Sequence, residues 1–131
     1  MNITQVDASV FNSLPSSYEN GVYTKADLTT TWVDLVSADF KSLGTYGACD
    51  ASMNFTEITA INNSAAAQVL YLITRAHNAA PEDISRAIPI PAGGQVVFPC
   101  GMSNKGGPIN TVAIIGSAAA TSIVLIARFA K

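Results

Sequence analysis

Charge is what this sequence has least of. Asp, Glu, Lys and Arg make up 12% of its 131 residues, against about 25% in an ordinary soluble domain, while 49% belong to the hydrophobic set. So little charge cannot solvate a whole domain surface, and part of that surface is expected to be covered by other protein. The cations (Lys25, Lys41, Arg75, Arg86, Lys105, Arg128, Lys131) are scattered and the formal net charge is -2. Without a basic footprint, direct nucleic-acid binding by phosphate neutralisation is not expected.

Catalytic and metal-binding residue types are equally sparse. The one histidine, His77, has neither H-x-x-x-H nor H-E-x-x-H spacing and reads as a solvated loop residue. The two cysteines, Cys49 and Cys100, lack C-x-x-C spacing, so neither a zinc knuckle nor a thioredoxin-like site is supported. They would pair only if the loop after Gly44 approached the end of the strand around residues 96–98. Reduced, buried thiols without function are the expectation. The glycine-rich loop at residues 100–108 places Lys105 before its Gly pair and leads into a strand, which excludes a phosphate loop. Asp34, Asp39, Asp50, Glu57, Glu82 and Asp83 are dispersed. Glu57 stands apart in an apolar strand, with Phe55 on its own face, and reads as an interface or edge charge rather than a general acid. The chain is therefore expected to be no enzyme and to carry no cofactor and no metal.

No secretory or transit pattern occurs in residues 1–10, and the expectation is synthesis in a reducing cytoplasm followed by assembly. The N-x-S/T matches at Asn2, Asn54 and Asn62 carry little weight in that setting. Residues 106–127 lack charge and are long enough for a membrane helix. However, Pro108 and the Val/Ile clusters on either side of a Gly-Ser break favour a hairpin, so no membrane association is expected.

What the sequence does contain is short β-prone runs between turn signals. Residues 30–37, 53–61, 68–75, 87–90, 95–98, 111–115 and 122–129 are rich in β-branched and aromatic residues, bounded by Gly, Pro and Asn. Residues 53–61 and 68–75 read as a hairpin, and Pro91-Ala92-Gly93-Gly94 as a turn. Pro89 and Pro91 confine the strand at residues 87–90 to an edge or a strand end. This spacing predicts an all-β fold: a jelly-roll-like antiparallel β-sandwich of seven or eight strands over residues 29–131.

Residues 1–28 are more polar, with turn signals at Leu14-Pro15-Ser16-Ser17 and Asn20-Gly21, and are assigned to an extended N-terminal arm; the alternative places Val22-Tyr23 in a short edge strand. The arm's isolated apolar residues Ile3, Val6, Val10, Phe11, Leu14 and Tyr18 are too few for a core but suffice as anchors on a partner.

Several strands are apolar at both alternating sets, as in Val69, Tyr71 and Ile73 against Leu70 and Leu72. A strand with one solvated face should alternate. Either the strand is central and covered on both sides, or its outer face meets another subunit, which makes Val124 and Ile126 candidate interface residues. Trp32 and Tyr71, inside apolar strands, read as core. Tyr18, Tyr23 and Tyr46 are left as the tyrosines for a glycan platform.

The ordering of the body resembles small structural proteins of tailed bacteriophage virions, in particular capsid decoration or cement proteins with a jelly-roll body. The residues that carry this are Thr31-Trp32-Val33-Asp34-Leu35, Ile61-Asn62-Asn63-Ser64 before Val69-Leu70-Tyr71-Leu72, the run from Ile90 through Gly93-Gly94 to Phe98, and residues 119–128. The resemblance covers residues 30–131 and implies a class, not a particular protein. It implies a non-enzymatic homo-oligomer, with a trimer favoured, on the capsid exterior of the virion, bridging subunits of the major capsid protein. A tail, baseplate or fibre component and a carbohydrate-binding β-sandwich are the alternatives.

Overall fold

Val, Ile, Thr and the aromatic residues concentrate in the long strands, where branched side chains pack on a pleated surface. The computed structural model describes residues 18–45, 47–76, 84–100 and 109–131. Among them the strands are β1 (Tyr18–Leu28), β2 (Val33–Leu35), β3 (Lys41–Ser42), β4 (Asn54–Asn62), β5 (Leu70–Ala76), β6 (Ile88–Ile90), β7 (Gln95–Pro99), β8 (Ile109–Gly116) and β9 (Thr121–Ala130). A five-stranded sheet has the order β3-β1-β9-β4-β7, and a four-stranded sheet the order β2-β8-β5-β6. All the pairings are antiparallel.

The pairings are nested. β5 pairs with β6, β4 with β7, β2 with β8 and β1 with β9. This is one long antiparallel hairpin rolled over so that β9 also meets β4 and β8 also meets β5, which defines a jelly roll. The inner faces make one core. Leu28, Phe55, Ile58, Leu125 and Phe129 of the first sheet are buried against Leu35, Leu70, Leu72, Ile90, Val112 and Ile114 of the second. Phe40, from the β2–β3 connection, completes an aromatic cluster with ring centroids 5.5 Å from Phe55, 5.2 Å from Phe129 and 5.8 Å from Tyr23.

Three expectations are corrected. First, Tyr18–Leu28 is not arm. It is an 11-residue strand held between β3 and β9, while residues 1–17 of the expected arm lie outside the described residues. Asn20-Gly21 is no turn: Gly21 sits where the β2–β3 connection crosses β1, and a Cβ there would lie 2.6 Å from Cys49 Sγ and 2.9 Å from Phe40 Cβ. Glycine in a strand marks such an approach as readily as a turn. Secondly, β4 and β5 are not a hairpin, nor are β8 and β9, because each connection crosses between the sheets. Thirdly, a register shift between Phe55 and Glu57 puts these two on opposite faces, as a bulge does.

The crossovers at one end of the sandwich are tied together by Asn62, which is buried. Its Nδ2 donates to the carbonyls of Gln68 (2.8 Å) and Ile90 (2.9 Å), and its Oδ1 accepts from Ser64 N–H. Its backbone exchanges hydrogen bonds with Gly93 and Gly94. The expected turn at residues 91–94 is present, closed by Gly94 N–H to the Pro91 carbonyl, with Gly93 at φ 76 where a type II turn requires it. Gln68 Nε2 donates to Ala119 O and Val69 N–H to Ser117 Oγ, joining the β8–β9 connection to the same network.

Three substitutions test these contacts through stability. Gly21→Ala should lower the unfolding free energy by about 1–3 kcal/mol through overpacking, whereas Gly44→Ala, with nothing within 4 Å of the new methyl, should stay within about 0.5 kcal/mol. Asn62→Leu strands the carbonyls of Gln68 and Ile90 and should cost about 2–4 kcal/mol. Urea unfolding followed by tryptophan fluorescence measures all three.

Candidate interaction surface

β9 runs through the middle of the five-stranded sheet, and its period of two sorts its side chains. Ile123, Leu125, Ala127 and Phe129 are buried inward, leaving Ser122, Val124, Ile126 and Arg128 on the outer face. The register extends this sorting across the sheet. One row reads Lys41, Val22, Ile126, Thr59, Val97 from β3 to β7. On one side of it lies the row Thr24, Val124, Ile61, Gln95, and on the other the row Asn20, Arg128, Glu57, Pro99. The centre of this face is therefore aliphatic, with Val97 55% and Ile126 39% exposed. Charge is confined to Lys41 at one edge and to the neighbouring Arg128 and Glu57.

The expected interface residues Val124 and Ile126 thus share one outer face, and Tyr18, 71% exposed, stands at the end of that face beside Ala130. Ile3, Val6, Val10, Phe11 and Leu14 lie outside the described residues, as do His77, Tyr46 and residues 101–108. The sequence reading missed Val22, Ile61 and Val97. Their alternation is visible in the sequence, but only the register puts them beside Val124 and Ile126.

The outer face of the four-stranded sheet differs. Leu70 and Leu72 point inward and are buried, so Tyr71 and Ile73 lie outward and half-buried; Tyr71 is not core as expected. Beside them Ala113 and Ile115 on β8 are buried although they lie outside the main core. On that face Ala113 and Ile115 are buried within the subunit, whereas Val97 and Ile126 on the other are exposed.

Two hollows adjoin Tyr18. One, of about 300 Å³, is bounded by Tyr18, Asn20, Thr56 and Arg128. The other, of about 490 Å³, lies between Tyr18, Glu19 and Asn20 of β1 and residues 42–45, including the 62% exposed Leu43. Thr56, the bulged residue, turns its hydroxyl to the Arg128 carbonyl at 3.0 Å. Of the tyrosines considered for a glycan platform, Tyr23 packs on Phe40, which leaves Tyr18 as the open one among the described residues.

Among the described residues no set of three or more His, Cys, Asp or Glu side chains gathers as a metal site would, and no helix is long and apolar enough to cross a membrane. The uncharged stretch considered for such a helix forms β8 and β9 from Ile109 onward. Searches of family models, curated proteins and solved structures return no match to this chain.

Cys49 and Cys100 are free and buried. Cys49 lies against Gly21 of β1 and Cys100 follows β7, with β9 and β4 between those strands. Three strand spacings amount to roughly 14 Å, beyond the reach of a disulfide. Burial, with Glu19 nearby, raises the Cys49 thiol from its ordinary value to about 11. Burial, with Glu57 nearby, raises Cys100 to about 12.

A folded-state pKa above the unfolded one favours the native state fully below the unfolded value near 9, and that contribution disappears as pH rises through the folded values. Between pH 9 and 11 the wild-type urea midpoint should therefore fall more steeply than that of the Cys49→Ser/Cys100→Ser double variant. An aromatic disulfide reagent at pH 8 should label both thiols only after unfolding. Rapid labelling of the native protein, or parallel pH profiles for the two forms, contradicts this assignment.

Proposed function

We propose that this chain is a non-enzymatic structural subunit of a tailed-bacteriophage virion, one that decorates the capsid exterior and stabilises it by bridging neighbouring capsid subunits. The observation that carries the reading is the open aliphatic face formed by Val22, Ile61, Val97, Val124 and Ile126 on a charge-poor jelly roll. An independent soluble domain places polar side chains on such a face, whereas a subunit that functions inside an assembly covers it. The resemblance of residues 30–131 to cement proteins selects the virion among possible assemblies. Tyr18 and the apolar residues preceding it, Ile3, Val6, Val10, Phe11 and Leu14, supply anchors for the capsid surface.

The mechanism is mass action. A subunit that binds the assembled shell and not its separated parts lowers the free energy of the shell by an amount set by its concentration relative to its dissociation constant. The protein needs no chemistry for this, only complementary area.

A second reading, glycan binding as in a carbohydrate-binding β-sandwich, has one observation in its favour: exposed Tyr18 beside hollows lined by Asn20, Thr56 and Arg128.

The test adds full-length protein to undecorated heads of the phage that encodes it. The expected result is saturable binding, electron-microscopic density on the head, and a rise of several degrees in the temperature of DNA release. Density confined to the tail assigns the chain to a tail or fibre component. A glycan-array signal abolished by Tyr18→Ala, with no binding to heads, replaces the capsid reading with the carbohydrate one.

A further inference from the structure

The aliphatic face has a charge pattern that selects its occupant. Arg128 on β9 and Glu57 on β4 are directly opposite in the sheet register, and both sit on the outer face in the row next to Val22, Ile126, Thr59 and Val97. Apart from Lys41 at the β3 edge, the three central rows carry no other charge. A partner of this face must be aliphatic in the middle, and one that also offers an anion to Arg128 and a cation to Glu57 at the spacing of adjacent strands complements it in charge.

A second copy of this chain meets those requirements. We propose that two copies pack face to face through the five-stranded sheets, about a two-fold axis that runs parallel to the strands between β9 and β4. Such an axis exchanges β9 with β4 and β1 with β7 while keeping each row in register. Arg128 of one copy then faces Glu57 of the other, twice over. Val124 faces Ile61, Ile126 faces the methyl-bearing Thr59, and Val22 faces Val97. The polar pair Thr24 and Gln95 meet in the outer row. Lys41 falls beyond the partner's β7 edge and stays in solvent.

Other axes fail on charge. An axis along β9 sets Arg128 against Arg128, and one along β4 sets Glu57 against Glu57; like charges juxtaposed at an interface are strongly disfavoured. An axis across the strands at the row of Ile126 puts Arg128 on Val124 and Glu57 on Ile61, burying both charges against aliphatic carbon.

The area suffices. The strands that overlap in this dimer, β1, β9, β4 and β7 with 11, 10, 9 and 5 residues, make a face of roughly 550 Å² at ~3.3 Å per residue and ~4.8 Å per strand, close to the ~600 Å² per partner at the lower end of stable interfaces. Sheets that pack in this aligned way keep their strands within about 30° of one another, so the central rows stay in contact despite the twist. The opposite sheet offers no equivalent, because its outer Ala113 and Ile115 are already buried within the subunit.

This inference rests on the outer face being a contact surface, as in the proposed function, but not on the identity of the particle. It replaces the trimer implied by the resemblance with a dimer. In a decorating protein, the dimer leaves Lys41, Tyr18 and the loop at residues 42–45 at its margin for contact with the capsid.

The test is sedimentation equilibrium of the full-length chain and two variants, Arg128→Glu and Glu57→Arg. Wild type should be a dimer at micromolar concentration. Each variant alone places like charges across the axis twice, and its dimer dissociation constant should rise at least about tenfold. An equimolar mixture of the two variants should regain the wild-type dimer, because each acidic face then meets a basic one. Loss of a Glu57–Arg128 contact within one chain cannot be rescued by mixing, so the mixture isolates the intermolecular pair. Circular dichroism melts of the dilute variants establish that both remain folded, and Ile126→Lys provides a third variant, expected to be a folded monomer. Wild type that is monomeric at about 1 mM, a trimer, or a mixture no tighter than its components overturns the proposal. A monomer that still decorates heads sinks the dimer and leaves the capsid reading standing; a dimer that binds no heads does the reverse.

Discussion

The structure depends on hydrogen bonding along both edges of β9. This C-terminal strand pairs with β1 at one side and β4 at the other, so the last residues of the chain occupy the middle of the larger sheet. Remove that double pairing and the roll opens: β1 keeps only the two-residue β3 as a partner, and the inner residues Ile123, Leu125, Ala127 and Phe129 leave the core together. Such pairing between distant parts of a chain requires closing a long loop before any contact rewards it, and the fold belongs to the slow, high-contact-order class.

A strand in that position is sorted by its period of two into one set for the core and one for the outside. The inner set meets the opposite sheet through aromatic and aliphatic packing. The outer set is where this protein departs from an ordinary sandwich, since Val124 and Ile126 are joined by aliphatic residues from three neighbouring strands. Without those neighbours two apolar side chains on a surface are unremarkable; in one contiguous face they define where other protein belongs. The capsid-binding proposal and the proposed dimer both draw on that contiguity.

The two ends of the sandwich differ in construction. At one end Asn62, Gln68 and Ser117 stitch the crossovers with side-chain to backbone bonds, so backbone groups that leave the sheets still find partners. At the other end Tyr18, the β2–β3 connection and the C-terminus meet around exposed charges, with Lys131 3.5 Å from Asp50. A half-exposed pair such as this contributes little. That end, with its open tyrosine and hollows, is where recognition has room.

Much of this was legible in the residues. Val/Ile-rich runs between Gly, Pro and Asn signals specify extended segments because branched side chains and turn formers act locally, and the β-sandwich class follows from their number and spacing. Alternation in β9 likewise assigned Val124 and Ile126 to a face of their own, since the side-chain period is a property of the strand itself. Partner choice is not local. No local pattern in residues 53–75 distinguishes a hairpin from a crossover; the distant Ile90 carbonyl of β6, to which buried Asn62 donates, belongs to the crossover. Gly21 read as a turn because its reason for being glycine, the approach of Phe40 and Cys49, lies some twenty residues or more away. A single bulge at Thr56 turned Glu57 from the face of Phe55 to the face of Arg128. The sequence by itself determined which residues extend and which alternate; the tertiary structure decided which strands meet, because register and sheet order depend on contacts that no local pattern contains.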